Sequence, residues 1–298
     1  MIKRPMKGEQ IEDLSRLKFP LIAFPKIDGF RCVLQDKPLT SRLSPFPNRH
    51  FMKEASGLLS RGLLDGEVTV GKRRGEGVLQ RTSSGLTSQE GEPDWHMWAF
   101  DCVATEKAKQ MGFSCRYEEA EALVSELSHP RIHLLKSRII TSLLELERYI
   151  QNKLNWGYEG IMVRSIDGLY KEGKSTINQG WLLKIKPFKD FEAKITGYYE
   201  EMHNTNEAQR EITGKLKRSS AKAGKVGKSR LGGFIGIDTQ TGVEVRVGGG
   251  FTEAQRISFW EIRDQYIGQL MTCKKQEVGE KDKPRHPTFI RIRPGWDM

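Results

Sequence analysis

Short apolar runs, separated by glycine-rich or charged turns, set the pattern of the first part of the chain. Seven of these stretches have the length and composition of strands, at 21–24, 32–34, 63–70, 95–103, 132–140, 159–165 and 181–187. Other stretches follow an N-cap residue or carry apolar residues at helical spacing, at 49–59, 78–84, 115–128 and 142–155. Because strands and helices mix without strict alternation, the pattern predicts an α+β fold of antiparallel sheets with packed helices.

A change of pattern near Phe188–Asp190 predicts a domain boundary. Beyond it the pattern predicts short strands at 191–200, 232–238, 242–247, 269–275 and 288–293. A helix is predicted over 253–266, with Thr252 as N-cap and Gln255 in the capping-box position. Five strands with one helix form the inventory of an all-β OB-fold barrel. We therefore expect two domains, residues 1–188 and 189–298.

The composition adds a strong basic excess to this picture. The 298 residues include 49 Lys and Arg against 38 Asp and Glu, which gives a net charge of +11. Such an excess favours a polyanionic partner, most simply nucleic acid, over a generally basic protein with no such partner. No apolar run approaches membrane-spanning length and no signal-peptide pattern follows the N-terminus, so we expect a cytoplasmic protein without a membrane partner. The four scattered cysteines form neither a zinc motif nor a disulfide framework.

The basic excess is most concentrated between Ile212 and Leu231, where no acidic residue occurs. The cations of this segment are Lys215, Lys217, Arg218, Lys222, Lys225, Lys228 and Arg230. Free in solution, such a segment is expected to be a mobile, self-repelling loop. It could neutralise several phosphates when bound to DNA, and the alternative is a merely solvated basic loop.

The string Lys26-Ile27-Asp28-Gly29-Phe30-Arg31 places a lysine at a predicted sheet edge, where the chain turns. A lysine amine can act as a nucleophile if it is kept neutral, whereas arginine cannot take that role. Gly29 permits a positive φ or a close backbone approach. The alternative is an ordinary hairpin with a solvated lysine, and a phosphate-handling site elsewhere in the chain would decide between them.

Carboxylates and an aromatic residue at other strand ends are candidates for such a site. Asp65 and Glu67 could orient a ribose hydroxyl or hold a magnesium ion, although such turns are common. Phe100 could stack on a purine base, or it could simply be a core residue. Glu159 begins a buried strand and suits either a metal ligand or a solvated strand cap.

Two lysines and a basic tail complete the candidates. Lys184 and Lys186 are two residues apart on a strand, so both point to one face and repel each other unless an anion lies near them. A phosphate is the natural anion, and an exposed sheet face is the alternative. The stretch 285–293 alternates apolar and basic residues, and its arginines suit phosphate recognition or an ordinary edge strand.

Taken in this order, the strings resemble those of the covalent nucleotidyltransferases, which include ATP-dependent DNA ligases, RNA ligases and mRNA-capping enzymes. The resemblance covers nearly the whole chain and is strongest to minimal virus- or phage-encoded ATP-dependent DNA ligases. It also includes Asn204-Thr205-Asn206, Lys217-Arg218-Ser219, Gly224-Lys225-Val226, Tyr266-Ile267-Gly268 and the stretch 284–293. It implies a nucleotidyltransferase (adenylation) domain followed by an OB-fold domain with a basic DNA latch at about 204–231.

The resemblance implies that Lys26 becomes covalently adenylylated. Asp28 and Arg31 would complete that motif, with Arg31 near the AMP or the 5′-phosphate of a nick. Lys184 and Lys186 would hold the α-phosphate of ATP.

Further roles follow from the same resemblance. Glu67 would contact the ribose, Phe100 would stack on adenine, and Glu159 would bind metal together with Asp65 and Glu67. Three other predicted nucleotide or phosphate contacts are Arg42, in the Ser41-Arg42 string; Lys174, where similar proteins have arginine; and the tail from Arg285 to Asp297, on the pyrophosphate. The chain departs from many such ligases at Phe24, where they have glutamate, and at Met298, where they often have a basic residue.

The activity implied is sealing of 3′-OH/5′-phosphate nicks in duplex DNA through a lysyl-AMP intermediate and a DNA-adenylate. ATP and Mg²⁺ or Mn²⁺ would be the cofactors, and a monomer would encircle the nicked duplex. An mRNA-capping guanylyltransferase or RNA ligase on the same scaffold is the first alternative, and a non-enzymatic OB-fold nucleic-acid-binding protein is the second. The nucleotide that labels the protein, and the need for Lys26, would distinguish them.

Overall fold

The computed structural model of the chain describes residues 2–59, 62–103, 105–210, 216–276 and 284–293. The chain divides between Lys186 and Pro187 into two compact units, close to the predicted boundary at Phe188–Asp190. Within the described ranges no helix is both long enough and apolar enough to cross a membrane.

The first unit is an α+β structure, as the sequence predicts. Its strands are β1 (Lys7–Gln10), β2 (Leu21–Lys26), β3 (Phe30–Leu34), β4 (Pro38–Thr40), β5 (Leu64–Val70), β6 (Trp95–Cys102), β7 (Ile132–Leu134), β8 (Arg138–Ile140), β9 (Gly160–Ser165), β10 (Lys174–Ser175) and β11 (Leu183–Ile185). Its helices are α1 (Arg49–Ala55), α2 (Val78–Thr87), α3 (Glu106–Lys109), α4 (Phe113–Leu127) and α5 (Leu143–Asn155).

Two mostly antiparallel sheets organise this unit. The six-stranded sheet has the order β10-β1-β11-β9-β2-β8, and the five-stranded sheet has the order β4-β3-β5-β6-β7. Apolar side chains of α5, such as Leu146, pack on the first sheet beside Ile161 and Val163. The second sheet shares a separate core with α1, α2 and α4, in which Phe51 and Trp95 meet edge to face at 5.0 Å between ring centroids.

Local sequence signals set several of these element boundaries. The side chain of Asn48 accepts a hydrogen bond from the Phe51 amide at 2.8 Å, which confirms it as the N-cap of α1. The single extended segment expected over 132–140 is wrong, because β7 joins the five-stranded sheet and β8 joins the six-stranded sheet. The short strands β1, β4 and β10 were not predicted, since they lack an apolar run.

The second unit contains one helix, α6 (Glu253–Glu261), among its described strands. These are β12 (Phe188–Asn204), β13 (Ala208–Arg210), β14 (Leu216–Arg218), β15 (Lys225–Asp238), β16 (Glu244–Val247), β17 (Leu270–Gln276) and β18 (Arg285–Ile292). The predicted capping box of Thr252 and Gln255 is present at the start of α6. The helix ends earlier than expected, and a separate 3₁₀ turn follows at Arg263–Tyr266.

Five strands of the second unit form an antiparallel sheet in the order β16-β15-β12-β17-β18 around an aromatic core. The expected barrel is only partly closed in the described residues. Beyond β16, Gly249 forms one isolated bridge to Thr288 of β18, and its carbonyl accepts from the Phe289 amide at 2.9 Å. No continuous ladder of described residues joins the two edge strands.

The basic segment is more regular than the mobile loop expected from its sequence. β12 and β15 pair as far as Asn204 opposite Lys225, so residues 225–231 belong to a long hairpin. Within the same segment β14 pairs with β13. The expectation of a loop is therefore wrong for these residues, because the 17-residue strand β12 supplies backbone partners that the charge pattern does not reveal. Lys215 lies outside the described residues.

Candidate active site

Three charged side chains meet where neighbouring strands of the six-stranded sheet begin or end. β2 ends at Lys26, β9 starts after Glu159, and β11 ends just before Lys186. These strands are neighbours, and the Glu159 amide donates to the Lys26 carbonyl at 3.2 Å. The carboxylate of Glu159, a residue only 5% exposed, accepts hydrogen bonds from the amines of both lysines. The strand register therefore assembles a buried Lys–Glu–Lys cluster, which we call the lysine edge.

Two glycines allow the backbone to approach closely enough for this arrangement. A Cβ on Gly160 would lie 2.3 Å from the carbonyl oxygen of Ile185, so β9 and β11 could not approach as they do. A Cβ on Gly29 would lie 2.4 Å from the carbonyl oxygen of Val68. Gly29 thus holds the turn that carries Asp28 against β5, and the close approach rather than a positive φ is what requires glycine there.

The lysine edge shifts the pKa of the amine of Lys26, the candidate nucleophile. Burial alone would lower the pKa of the Lys26 amine, but the charges of Glu159 and Glu67 outweigh it and raise the pKa above the ordinary lysine value. Burial likewise opposes ionisation of Glu159, yet Lys26 and Lys186 lower the pKa of its carboxyl group. In the structure the carboxylates around Lys26 thus act against a neutral amine, because they raise its pKa.

Lys184 differs from its neighbour Lys186. Burial, and then the charges of Lys186 and Lys26, lower the pKa of the Lys184 amine. No carboxylate of the described chain forms an ion pair with it, whereas Lys186 is paired with Glu159. The anion expected beside these two lysines is thus a protein carboxylate for Lys186, and Lys184 is left to face a cavity.

The five-stranded sheet contributes an arginine held by a buried carboxylate. Arg31 on β3 lies opposite Glu67 on β5, and its Nε and Nη2 donate to the two oxygens of Asp65 at 2.5 Å. Asp65 is fully buried and also accepts from the Tyr170 hydroxyl at 3.3 Å. In this structure Asp65 orients Arg31, and its metal-binding role stays a prediction.

A cavity of about 240 Å³ brings the predicted residues of both sheets together. Lys26, Arg31, Glu67, Phe100 and Lys184 all line it. The ring of Phe100 forms part of the wall, and the Arg31 guanidinium carbon lies 4.7 Å from its centroid. Cationic side chains and an aromatic ring in one cavity suit a nucleotide.

Sequence reasoning missed two further cations of this cavity, Lys7 and Arg164. Lys7 lies on the polar strand β1, for which no periodic pattern exists. Arg164 donates to Asp101 at 2.7 Å, and Asp101 also binds Arg116 at 2.9 Å. The buried Nη2 of Arg164 has no hydrogen-bond partner among the described residues. The only sequence signal for this network is the acidic residue that follows Phe100.

Phe24, one of the positions where the chain departs from the pattern described above, is a buried core residue. Phe24 is 2% exposed and meets the rings of Phe113 and Tyr117 edge to face, at 5.7 and 5.5 Å between centroids. Since Phe24 also lines the cavity, an apolar ring stands where many similar ligases place a carboxylate.

The carboxylates near Lys26 fit a metal that arrives with a phosphate better than a metal held by protein alone. No group of three or more metal-ligating side chains occurs in the described ranges. Magnesium is commonly bound by one or two carboxylates together with substrate phosphates and water. Glu159 and Glu67 supply such a pair, and burial raises the pKa of Glu67 to about 7 against the opposing charges of Lys26 and Arg31.

Other predicted site residues are not among those that line this cavity. Arg42 is exposed in the turn that follows β4, and Lys174 on β10 donates to Glu9 at the surface. Arg285 begins β18 in the second unit, and Asp297 lies outside the described residues.

The cations of the basic segment fall into two groups. Lys228 and Arg230 on β15 both donate to Glu201 on β12, at 2.8 Å each, and Arg230 also reaches Glu253. Those hydrogen bonds hold the pKa of Glu201 down at about 2. The others are Lys217 and Arg218 on β14, Lys222 in the turn before β15, and Lys225 at the start of β15.

Comparison with known proteins places both units. The family model described as "ATP dependent DNA ligase domain" matches residues 4–186, and the one described as "DNA ligase OB-like domain" matches residues 224–293. The DNA ligase of Enterobacteria phage T4 is 21% identical over 213 residues, which is 70% of this chain. This chain spans only 39% of the length of that curated relative.

Solved structures agree with the architecture. The chlorella virus DNA ligase-adenylate is 28% identical, with a TM-score of 0.56 over 98% of this chain and 100% of that chain. A minimal-scaffold Lig E DNA ligase is 21% identical, with a TM-score of 0.70 over the same shares, and this likeness supports the fold alone. The expected order, a nucleotidyltransferase domain followed by an OB-fold domain, is confirmed.

Proposed function

This chain belongs to the ATP-dependent DNA ligase family, and we propose that it seals nicks in duplex DNA through a covalent lysyl-AMP intermediate. The observation that carries the proposal is the lysine edge, where Lys26 lies in the wall of a cavity that also presents Lys184 and Phe100. Sealing of this kind needs positioning and charge neutralisation of phosphates, and both are supplied there.

In the proposed first step, the Lys26 amine attacks the α-phosphorus of ATP. A nitrogen–phosphorus bond forms, the bond to the pyrophosphate oxygen breaks, and the ammonium proton must leave before attack. Glu159 already accepts a hydrogen bond from this amine and is placed to assist that loss. Lys184 and Lys186 would neutralise the α-phosphate, Glu67 would bind the ribose, and Phe100 would stack on the adenine.

A divalent cation would be held by Glu159, with Glu67 nearby and phosphate oxygens completing its coordination. When bound, it would supply positive charge to the phosphates and compete with Lys26 for the Glu159 carboxylate. Loss of that carboxylate as a partner lowers the pKa of the Lys26 amine, because Glu159 is the group that raises it most. Asp65 would hold Arg31 in place for the phosphate.

In the proposed second step AMP passes from Lys26 to the 5′-phosphate at the nick, and Lys26 leaves as the amine. In the third step the 3′-hydroxyl oxygen attacks that phosphate, forms the phosphodiester bond and expels AMP. Arg42 would contact the nick phosphate, Lys174 would contact the nucleotide, and the cations of the basic segment would bind the duplex. The protein would act as a monomer inside the cell, where ATP and DNA both occur.

The test is incubation with α-labelled ATP or GTP and Mg²⁺, followed by a denaturing gel. Label from ATP is expected on the unaltered protein and on Lys53→Ala, an exposed lysine of the same unit, but not on Lys26→Ala. Label from GTP alone would point to a guanylyltransferase. Label that persists in Lys26→Ala would remove this residue as nucleophile.

Sealing itself is tested with a labelled nicked duplex and the adenylylated protein without added ATP. Joined product in an amount close to that of the bound AMP is expected. Transfer of AMP only to RNA ends, or to no nucleic-acid end, would contradict DNA ligation. The formation of lysyl-AMP would still stand in that case.

A further inference from the structure

A short basic loop, residues 71–77, joins β5 to α2 and carries Lys72, Arg73 and Arg74 in succession. We call it the strap. It lies on the first unit, far along the chain from the basic segment, and none of the roles described above uses it.

The strap connects the two sheets of the first unit beside the lysine edge. The Gly75 amide donates to the Gly157 carbonyl at 2.9 Å, and Gly157 follows α5 by two residues. Two residues further along lies Glu159, whose carboxylate pairs with Lys26. The strap is therefore hydrogen-bonded to the turn that leads into Glu159.

Each arginine of the strap lies over a different tryptophan, one on β6 and the other directly after α5. The guanidinium carbon of Arg73 is 4.3 Å from the Trp98 ring centroid on β6, and that of Arg74 is 5.8 Å from the Trp156 ring. Lys153 on α5 places its amine 4.3 Å from the same Trp156 ring, and Trp156 is 55% exposed. A stacked guanidinium uses its face against the indole, which leaves its N–H edges to donate to an anion.

These cations lack a counter-charge of their own. Within the part of the chain that is described, no carboxylate forms an ion pair with Arg73, Arg74 or Lys153. Burial, and then the charges of Arg73, Arg138 and Arg74, lower the pKa of the Lys153 amine. Like charges held together in this way are relieved when an anion binds among them.

None of these cations is among the residues that line the nucleotide cavity. Arg73 instead lines a separate groove of about 680 Å³ together with Trp98, His133 and Lys136. A triphosphate would be served by the compact set of Lys26 and Lys184 in the cavity. Several cations held over indole rings outside that cavity, without carboxylate partners in the described chain, fit a polyanion that presents several phosphates.

We propose that the strap, with Lys153, binds backbone phosphates of the duplex during nick joining, as a DNA contact of the first unit in addition to Arg42. The inference rests on the proposed ligase function for the identity of the polyanion. Such contacts position the duplex and carry no base specificity.

The test compares Arg73→Gln/Arg74→Gln with Lys37→Gln/Lys107→Gln, which removes two exposed charges elsewhere on the same unit. Binding of nicked duplex to the adenylylated protein is measured in EDTA over a salt series. For the strap variant we expect affinity to fall about tenfold or more, and the slope of log affinity against log salt to decrease by about 0.9 for each phosphate that the variant no longer binds. The control variant should change both much less, and self-adenylylation should be unchanged in both.

Three results would overturn the inference. Equal changes in the two variants would mean a general charge effect, and an unchanged slope with a lowered melting temperature would mean that the strap only joins the sheets. A parallel loss of self-adenylylation would mean that the strap binds the triphosphate of ATP and not the phosphates of DNA. Failure of the proposed function would show separately, as absence of lysyl-AMP or of joined product in the unaltered protein.

Discussion

The lysine edge of the first unit and the basic segment of the second hold their charges in opposite ways. At the lysine edge the Glu159 side chain is 2% exposed, and two lysines share it. In the second unit the Glu201 side chain, which pairs with Lys228 and Arg230 of the basic segment, is 27% exposed, and Lys222 is exposed without an ion pair in the described chain.

The difference follows from solvent. A buried charge that loses its partner is left in a medium of low dielectric constant, so the cluster is locked until a ligand replaces that partner. An exposed cation is hydrated whether paired or not, so it can exchange a carboxylate for a phosphate at small cost. The first arrangement suits chemistry at a fixed atom, and the second suits reversible binding to a polyanion.

The largest effect is expected where the buried arrangement is broken in the core. Asp101 is fully buried between Arg116 and Arg164. Asp101→Asn removes the charge that both arginines need, and we expect the free energy of unfolding to fall by about 3–5 kcal/mol. Glu201→Gln, in the exposed arrangement, should lower it by less than about 1 kcal/mol. Denaturant unfolding of both variants measures the difference, and equal losses would contradict the comparison.

The second-largest effect is expected from Glu159→Gln, which should change the pKa of Lys26 and the rate of self-adenylylation in different ways. In Glu159→Gln the pKa of the Lys26 amine should fall, because the carboxylate that raises it most is gone. Acylation of Lys26 by an amine-reactive ester, which requires the neutral amine, should therefore begin at lower pH than in the unaltered protein. Self-adenylylation with ATP and Mg²⁺ should nevertheless fall about 100-fold, because a group that assists proton loss and metal binding is lost.

Glu9→Gln is the matched control, since Glu9 accepts from Lys174 at the surface of the same sheet. This variant should leave the rates of acylation and of self-adenylylation of Lys26 nearly unchanged. If acylation and adenylylation move in the same direction in Glu159→Gln, Glu159 acts on Lys26 only through its charge and has no further part in the first step.

These expectations also show how far the sequence predicts the molecule. Strand ends were predictable from apolar runs, and this was enough to select Lys26, Glu159, Lys184 and Lys186. Their convergence was not predictable from pattern, because Lys26 and Glu159 are 133 positions apart and meet only through strand register. The direction in which the pKa of the Lys26 amine is shifted depends on that contact, so it could not be predicted from the pattern either.

Prediction from the sequence failed mainly for exposed and polar elements. β1 has no apolar periodicity, so Lys7 was not recognised as a residue of the cavity. The strap resembles any glycine-rich basic turn in sequence, and its stacking on Trp98 and Trp156 depends on tertiary placement. In the basic segment the partner of Lys228 is Glu201, which lies outside the stretch whose charges were counted.

The smallest effect is expected from releasing the exposed cations of the second unit. Glu201→Gln removes the carboxylate that Lys228 and Arg230 share, so Lys228 can pair with a phosphate, whereas Arg230 keeps Glu253 as a partner. We expect nicked duplex to bind several-fold more tightly, with the salt slope steeper by up to about 0.9 for each additional phosphate bound. Glu244→Gln removes the same charge from an exposed position on β16 and should change binding less. Weaker binding in Glu201→Gln would instead mean that Glu201 positions these cations for the duplex.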